Sequence, residues 1–346
     1  MANALWVCIE GLPDERYLAR KWEKIPKHEE LAFKAIPPDL TSMILSTPLF
    51  SNAADGRREE VNLDYAQAWG LNDEDNLELV FAQAKCAATS NRFCLRMIFN
   101  AEQATSDVRS KRYRVYNNLM NDAVFHAAHL ASIEGLYVPR HYGMWIMDTG
   151  KWAGKVLFSL NQWCGVSWRE LSFTKFNTEA NKVLIGRSFE ALHDLGIDHG
   201  GLRNREDLRH ALIDVDAPGL SQADLLNGRA RCYIVDFSDA HANHLCTRKL
   251  PILPHHTFLW NTPVGCAEIS GALFLFGFVQ CPNAETSASE ALEWHTEYSK
   301  SHPNMKNSDI LMAQRENDDE KTVSTSNSDD GVPTAGTDSS RRSGAA

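Results

Sequence analysis

Three residues in the C-terminal half, His241, His244 and Cys246, are of the types that bind zinc in proteins. Zinc takes four ligands, and a further histidine pair, His255-His256, follows along the chain. The spacing His-x-x-His-x-Cys matches no zinc module with defined intervals between its ligands. We therefore interpret the segment as a solvated loop, with a zinc site as the alternative.

Three other residues could carry a buried charge or take part in chemistry: Arg96, His199 and Asp236. Arg96 lies in the apolar run of residues 92–99, where a buried guanidinium needs an anionic partner; on an edge it could point to solvent instead. A lone histidine such as His199 indicates a structural role, bonding the backbone near residues 236–238, more than a chemical one. Asp236 ends a short apolar run, where it could hold a metal ion or cap a turn.

Composition and charge narrow the class of protein. The chain has 346 residues, 43% of them apolar and 23% charged, which is typical of a globular protein with one large two-lobed domain or two ordinary ones. A net charge of −10 argues against a nucleic-acid partner, because phosphate contacts need a basic surface. None of the eight cysteines has CxxC spacing, which indicates reduced thiols.

The sequence shows no membrane or export signal. Glu10 interrupts the only candidate signal peptide, and the apolar run of residues 272–279 is too short to span a bilayer. We therefore expect a cytoplasmic or nuclear location by default and no membrane partner.

The first 75 residues give mixed signals. Short helical patterns alternate with breakers, and Asp39 can cap a short helix that carries Leu40, Met43 and Ile44. We interpret residues 1–75 as an extension packed on the main domain.

Periodic patterns are clearer after residue 76. The strand candidates are residues 77–81, 92–99, 142–147, 155–160, 211–215 and 232–237, and helices are predicted over residues 107–133 and 179–195. Residues 216–228 are predicted to be mostly loop. Beyond Cys281 the chain is polar and low in complexity, so it buries too little apolar surface to offset the entropy of ordering and is predicted to be disordered.

The helix at residues 179–195 leads into His199-Gly200-Gly201-Leu202, and Asp236-Phe237-Ser238 follows. This order resembles the catalytic segment of protein kinases, in which His199 is the histidine of the catalytic loop. It is similar to that of a group of kinase-like proteins abundant in fungi, whose loop often reads His-Gly-Asp-Leu. The segment of residues 134–143 is also similar to a link in that group, and the resemblance covers residues 77–245.

The resemblance implies an α+β protein with a two-lobed protein-kinase-like fold, made of a small β-rich N-lobe and a truncated, mainly helical C-lobe. The implied domains are an N-terminal extension (1–75), the N-lobe (76–162), the C-lobe (163–282) and a disordered acidic tail rich in Ser, Thr and Asn (283–346). Truncation is expected because Cys281 comes only 41 residues after Ala240, with no anchor for a peptide substrate between them.

The resemblance also assigns a role to each matching position. Gly201 stands where the catalytic aspartate accepts a proton, and glycine has no side chain to do so. Asp236 keeps one magnesium ligand, and Glu206 replaces the amide that supplies another. Arg96 occupies the position of the third-strand lysine, and Asp122 is the candidate for the helix acid that pairs with it.

These departures imply a degenerate, catalytically impaired member of the group, a pseudokinase that acts as a binding or scaffold module. Loss of a general base alone typically removes about 10²- to 10⁴-fold in rate, and no glycine-rich loop lies between residues 77 and 93. The implied ligands are ATP and Mg²⁺, bound weakly or lost, and the implied partner is a protein or a nucleotide.

Two other interpretations stay open. One is an atypical, active ATP-dependent phosphotransferase acting on a protein or a small molecule, with Asp236 holding magnesium and Asp198, Glu206 or Asp207 replacing the base. The other is an unrelated α+β protein in which both motifs are coincidental.

Overall fold

A nine-stranded sheet is the largest element of the protein. The computed structural model describes residues 4–10, 12–23, 33–47, 49–52, 58–61, 79–89, 91–104, 111–150, 153–202, 205–250, 265–276 and 284–326. The strands of the sheet are β1 (Ala4–Ile9), β2 (Leu12–Lys21), β3 (Ser42–Leu45), β4 (Leu49–Asn52), β5 (Arg58–Val61), β6 (Val80–Cys86), β7 (Arg92–Ile98), β8 (His141–Asp148) and β9 (Lys155–Gln162).

Seven of these strands close into a ring. Their order is β3-β1-β2-β8-β9-β7-β6, and β3 pairs again with β6. Among the described strands of the ring, β1 and β3 are parallel and the other neighbours are antiparallel. A ring with an odd number of strands requires at least one such parallel pair, because alternating directions cannot match at the closing pair. The β4–β5 hairpin extends from β6 outside the ring.

Residues that alternate along the strands fill the ring with a single core. In β7, for example, Phe93, Leu95 and Met97 are buried inside, while Cys94 and Arg96 lie on the outer face. Leu5 and Val7 of β1 belong to the same core, so strands on either side of the boundary expected at residue 75 share one sheet.

The expected two-lobed fold with a mainly helical C-lobe is therefore wrong. The structure has a closed mixed sheet with helices scattered around it. One cause is the segment of Met43 and Ile44, which was predicted to be part of a short helix and forms strand β3 instead. Met43 is fully buried whereas Ile44 is 41% exposed, which is the period of a strand. A run this short fits both periods, and its pairing with β1 and β6 determines the outcome.

The other described elements are helices and short strands. They are α1 (Ala101–Ala104), α2 (Lys111–His129), β10 (Val166–Ser167), α3 (Trp168–Leu171), α4 (Glu179–Asp194), β11 (Ile197–Asp198), a 3₁₀ helix (Arg205–His210), β12 (Ala211–Ile213), α5 (Gln222–Leu226), β13 (Cys232–Ile234), β14 (His241–Ala242), α6 (Ala267–Leu275), α7 (Ala284–Ser301) and α8 (Asn307–Ser326). Helix α2 packs on the outer face of the sheet, and α4 is central to a second core that includes Phe189, Phe237 and Ile269. No helix among the described residues is both long enough and apolar enough to cross a membrane.

Several predicted elements are confirmed. The strands predicted over 92–99, 142–147 and 155–160 correspond to β7, β8 and β9, and the helix predicted over 179–195 corresponds to α4. Thr178 caps α4 by accepting a hydrogen bond from the Asn181 backbone N–H.

The disorder predicted beyond residue 283 is wrong for residues 284–326, which form α7 and α8. A few apolar residues suffice there: Ala291 and Leu292 of α7 pack with Leu250, and the Gln314 side chain of α8 donates to the Ala291 carbonyl oxygen at 2.9 Å. Residues 327–346 lie outside the described residues.

Adjacent substitutions in β3 test the closure of the ring. We expect Met43→Ala to lower the free energy of unfolding by about 2–5 kcal/mol, because it opens a cavity inside the ring. Ile44→Ala, on the exposed face, is the matched control and should change it by about 0.5 kcal/mol or less. Urea unfolding of both variants measures the difference, and a larger loss in Ile44→Ala would contradict the register of β3.

Candidate functional site

Arg96 lies where strand β7 meets helix α2. Because Leu95 and Met97 point into the ring, Arg96 points outward, and its side chain is covered to the extent that only 12% remains exposed. A guanidinium this buried requires anionic partners, and it has two of them, Asp122 and Asp236.

Asp122 connects the helix to the strand and to a loop. Leu119 and Ala123 of α2 pack on the sheet, which turns Asp122 toward Arg96. One carboxylate oxygen, Oδ2, lies 2.5 Å from Arg96 Nη1, and the other, Oδ1, accepts a hydrogen bond of 2.6 Å from the Phe237 backbone N–H. Both oxygens of this buried carboxylate are therefore satisfied within the protein.

Asp236 lies on the loop after β13 and faces two nitrogen-bearing side chains. Its Oδ1 atom is 3.3 Å from Arg96 Nη2, and its Oδ2 atom is 3.6 Å from His210 Nε2. Burial favours the neutral acid, but Arg96, followed by His210 and His199, lowers the pKa of Asp236 below its usual range. Asp236 is thus an ionised carboxylate whose negative charge is compensated by Arg96 within the protein.

His199 holds the loop of residues 199–202 against the segment before Asp236. Its Nε2 atom donates to the Val235 carbonyl oxygen at 3.0 Å, and its Nδ1 atom accepts from the Gly201 backbone N–H at 3.3 Å. These two bonds assign the tautomer and leave neither ring nitrogen for proton transfer. This arrangement agrees with the structural role that the sequence suggested for His199, which is to bond the backbone near residues 236–238.

The space beside Gly201 is already occupied. A Cβ atom at this position would lie 2.9 Å from His199 Cε1 and 3.3 Å from His210 Nδ1. Gly200 is fixed by a different requirement, since its φ is +72° and a Cβ there would lie 2.4 Å from the Asp239 carbonyl oxygen. An aspartate in the place of Gly201 could not be accommodated without displacing two imidazole rings.

Glu206, the other proposed magnesium ligand, belongs to the 3₁₀ helix. Its side chain lies outside the described residues, so the structure brings together Arg96, Asp122, Asp236 and His199 but leaves the contacts of Glu206 undefined.

Glu268 is a site residue that the sequence did not reveal. It lies in the first turn of α6, and its carboxylate accepts hydrogen bonds from the backbone N–H groups of His199 (2.9 Å) and Gly200 (2.7 Å). Its Oε2 atom is also 2.8 Å from His193 Nε2. Burial opposes ionisation, but the bonds from His193 and Asp198 lower the pKa of Glu268 to about 2. The signal available in the sequence was an acidic residue in the first turn of an apolar helix, where the helix dipole favours a negative charge.

The residues of zinc-binding type separate into two groups. His244 and Cys246 lie together with His193 and Cys266, which are distant in sequence. His241 is exposed on β14, and His255 and His256 lie outside the described residues.

Comparison of the sequence with protein-family models matched none of them, and comparison with curated proteins found no match either. The site must therefore be interpreted from its own geometry.

Two glycine substitutions test the packing around Gly201. We expect Gly201→Ala to lower the free energy of unfolding by about 1–3 kcal/mol, because the added methyl group displaces buried rings. Gly271→Ala, in helix α6, is the control: its Cβ would lie 3.4 Å from the Leu202 carbonyl oxygen, and helix propensity should make the change neutral or stabilising by up to about 1 kcal/mol. Urea unfolding compares them, and equal effects would show that the position beside Gly201 is open.

Proposed function

We propose that this protein is a non-catalytic binding or scaffold module, in which the residues that match a kinase catalytic segment hold the structure together instead of transferring phosphate. The observation that carries the proposal is the double ion pair of Arg96 with Asp122 and Asp236. A protein is the proposed partner, and ATP with Mg²⁺ is proposed to bind weakly or not at all.

The engagement of Arg96 argues against a phosphate-binding role. Phosphoryl transfer depends on cations that are positioned on the nucleotide, and the guanidinium would have to leave one of its carboxylates to contact a phosphate. Leaving Asp122, which is buried, would create an uncompensated buried charge, which is strongly destabilising. Leaving Asp236 would break the ion pair that joins β7 to the loop after β13.

The imidazole of His210 lies beside Gly201 and contacts Asp236. Burial, opposed by Asp236 and reinforced by His199, lowers the pKa of His210 to about 4. A general base works best when its pKa is close to the working pH, so His210 would be a poor base near neutrality.

An active phosphotransferase is the rival function. The observation in its favour is that 31% of the Asp236 side chain is exposed, which leaves room for a metal ion to approach the carboxylate.

A thermal-shift titration separates the two functions. We expect ATP with Mg²⁺ or Mn²⁺ at millimolar concentration to leave the melting temperature unchanged. A nucleotide present at 100 times its Kd would instead stabilise the native state by about 2.7 kcal/mol.

A turnover assay supplies the opposing outcome. ATP hydrolysis or transfer that is abolished by Asp236→Ala and retained by Asp239→Ala would overturn the proposal. Asp239 is the matched control because it lies in the same loop and is exposed.

A further inference from the structure

Four side chains beside the end of α4 converge on one point. The ligand atoms of His193, His244, Cys246 and Cys266 all lie within 4.8 Å of one another. Cys266 Sγ is 3.6 Å from His193 Nδ1 and 3.7 Å from His244 Nε2. Tetrahedral zinc with bonds of about 2.3 Å to sulfur and about 2.0–2.1 Å to nitrogen requires sulfur–nitrogen separations of about 3.6 Å. The two separations from Cys266 therefore already match those of a Cys₂His₂ zinc site.

Three separate segments deliver these ligands. His193 lies in the last turn of α4, Cys266 directly precedes α6, and His244 and Cys246 follow β14. The backbone N–H of His244 donates to the Gly196 carbonyl oxygen at 2.7 Å, which fastens the third segment to the end of α4.

Close backbone packing also brings Cys266 to the cluster. Gly265 has a φ of +87°, and a Cβ there would lie 2.3 Å from the Thr247 carbonyl oxygen. Only glycine allows these two segments of the chain to approach this closely, so the segment before α6 lies directly against the segment that carries Cys246.

Each histidine has a carboxylate near the ring nitrogen that is directed away from the cluster. His193 Nε2 lies 2.8 Å from Glu268 Oε2, which leaves Nδ1 directed at the cluster. His244 Nδ1 lies 4.0 Å from Asp198 Oδ2, on the side of the ring away from Cys266. Zinc-bound histidines almost always place their second nitrogen against a carboxylate, a carbonyl or water, because this orients the ring and raises its basicity.

The ligand set suits a divalent cation. Cysteine binds a metal ion as a thiolate, so Cys246 and Cys266 would supply two negative charges, and His193 and His244 would bind as neutral imidazoles. Together the four ligands would balance the charge of Zn²⁺.

We propose that His193, His244, Cys246 and Cys266 form a structural zinc site. Four protein ligands fill a tetrahedral ion, and sites with no open position are structural. His193 and Cys266 are buried and the other two ligands are half-buried, as in a site closed to substrates. The ion would join α4, α6 and the segment after β14, and through Glu268 it would help to position His199 and Gly200.

Metal analysis of the full-length protein, purified under reducing conditions and exposed to Zn²⁺, tests the proposal. We expect one zinc per chain. Cys246→Ser and Cys266→Ser should abolish stoichiometric zinc, whereas His241→Ala should retain it. His241 is the matched control because it comes from the same segment and lies outside the cluster.

Two measurements keep the test decisive if the ligand variants do not fold. Co²⁺ added to the wild-type protein should give the absorption of a tetrahedral thiolate complex, and Zn²⁺ should displace it. In competition with a chelator, Glu268→Gln should weaken zinc binding by about 10- to 100-fold, since it alters the group behind His193.

Three results would overturn the zinc site. The reduced wild-type protein could bind less than one zinc per chain, His241→Ala could lose zinc as Cys246→Ser does, or Cys246 and Cys266 could be found as a disulfide in a protein that binds no zinc after reduction. The last result would make the two cysteines a redox pair.

Discussion

The buried guanidinium of Arg96 holds a strand, a helix and a loop of this protein together. Arg96 lies on the outer face of the sheet, and its two carboxylate partners come from helix α2 and from the loop after β13. Removing one partner of a buried ion pair leaves an uncompensated charge, so the sheet, the helix and the loop are constrained to stay together. Arginine suits this task better than lysine, because its planar fork can bind two carboxylates with separate nitrogens. The second carboxylate oxygen of Asp122 is used as well, since it accepts a hydrogen bond from the Phe237 N–H.

The loop of His199 is held from two directions. His199 bonds to the Val235 carbonyl oxygen next to Asp236, while Glu268 receives the backbone N–H groups of His199 and Gly200. Glu268 also bonds to His193, so the loop is linked to the Cys₂His₂ cluster. The Arg96 ion pairs and the Cys₂His₂ cluster are therefore linked through one short loop, in which Gly201 leaves room for the rings of His199 and His210. A loop fixed in this way favours a structural role for the segment.

The sequence predicted local features well and distant ones poorly. The alternation in residues 92–99 placed Arg96 opposite the core, and helical spacing located α4. The closed ring was missed because β3 has only four residues, and because its pairing with β6 joins segments that are far apart in the chain. The same limitation hid Glu268, whose contacts lie 68 and 69 residues away. Likewise, His193 and Cys266 have no spacing that relates them to His244 and Cys246, so only folding shows the four to be neighbours.

A double-mutant cycle of Arg96→Gln and Asp236→Asn, measured by urea unfolding at pH 7, tests most directly whether these residues serve the structure. A coupling energy of about 0.5–3 kcal/mol is predicted, as is usual for residues in one ion-pair network, and ATP with Mg²⁺ should leave it unchanged. Because the pKa of Asp236 is lowered in the folded protein, its contribution is present above the unfolded pKa of about 3.9 and is lost as the pH falls through the folded pKa. A coupling energy near zero, or one that ATP and Mg²⁺ abolish, would contradict a structural role for Arg96 and Asp236.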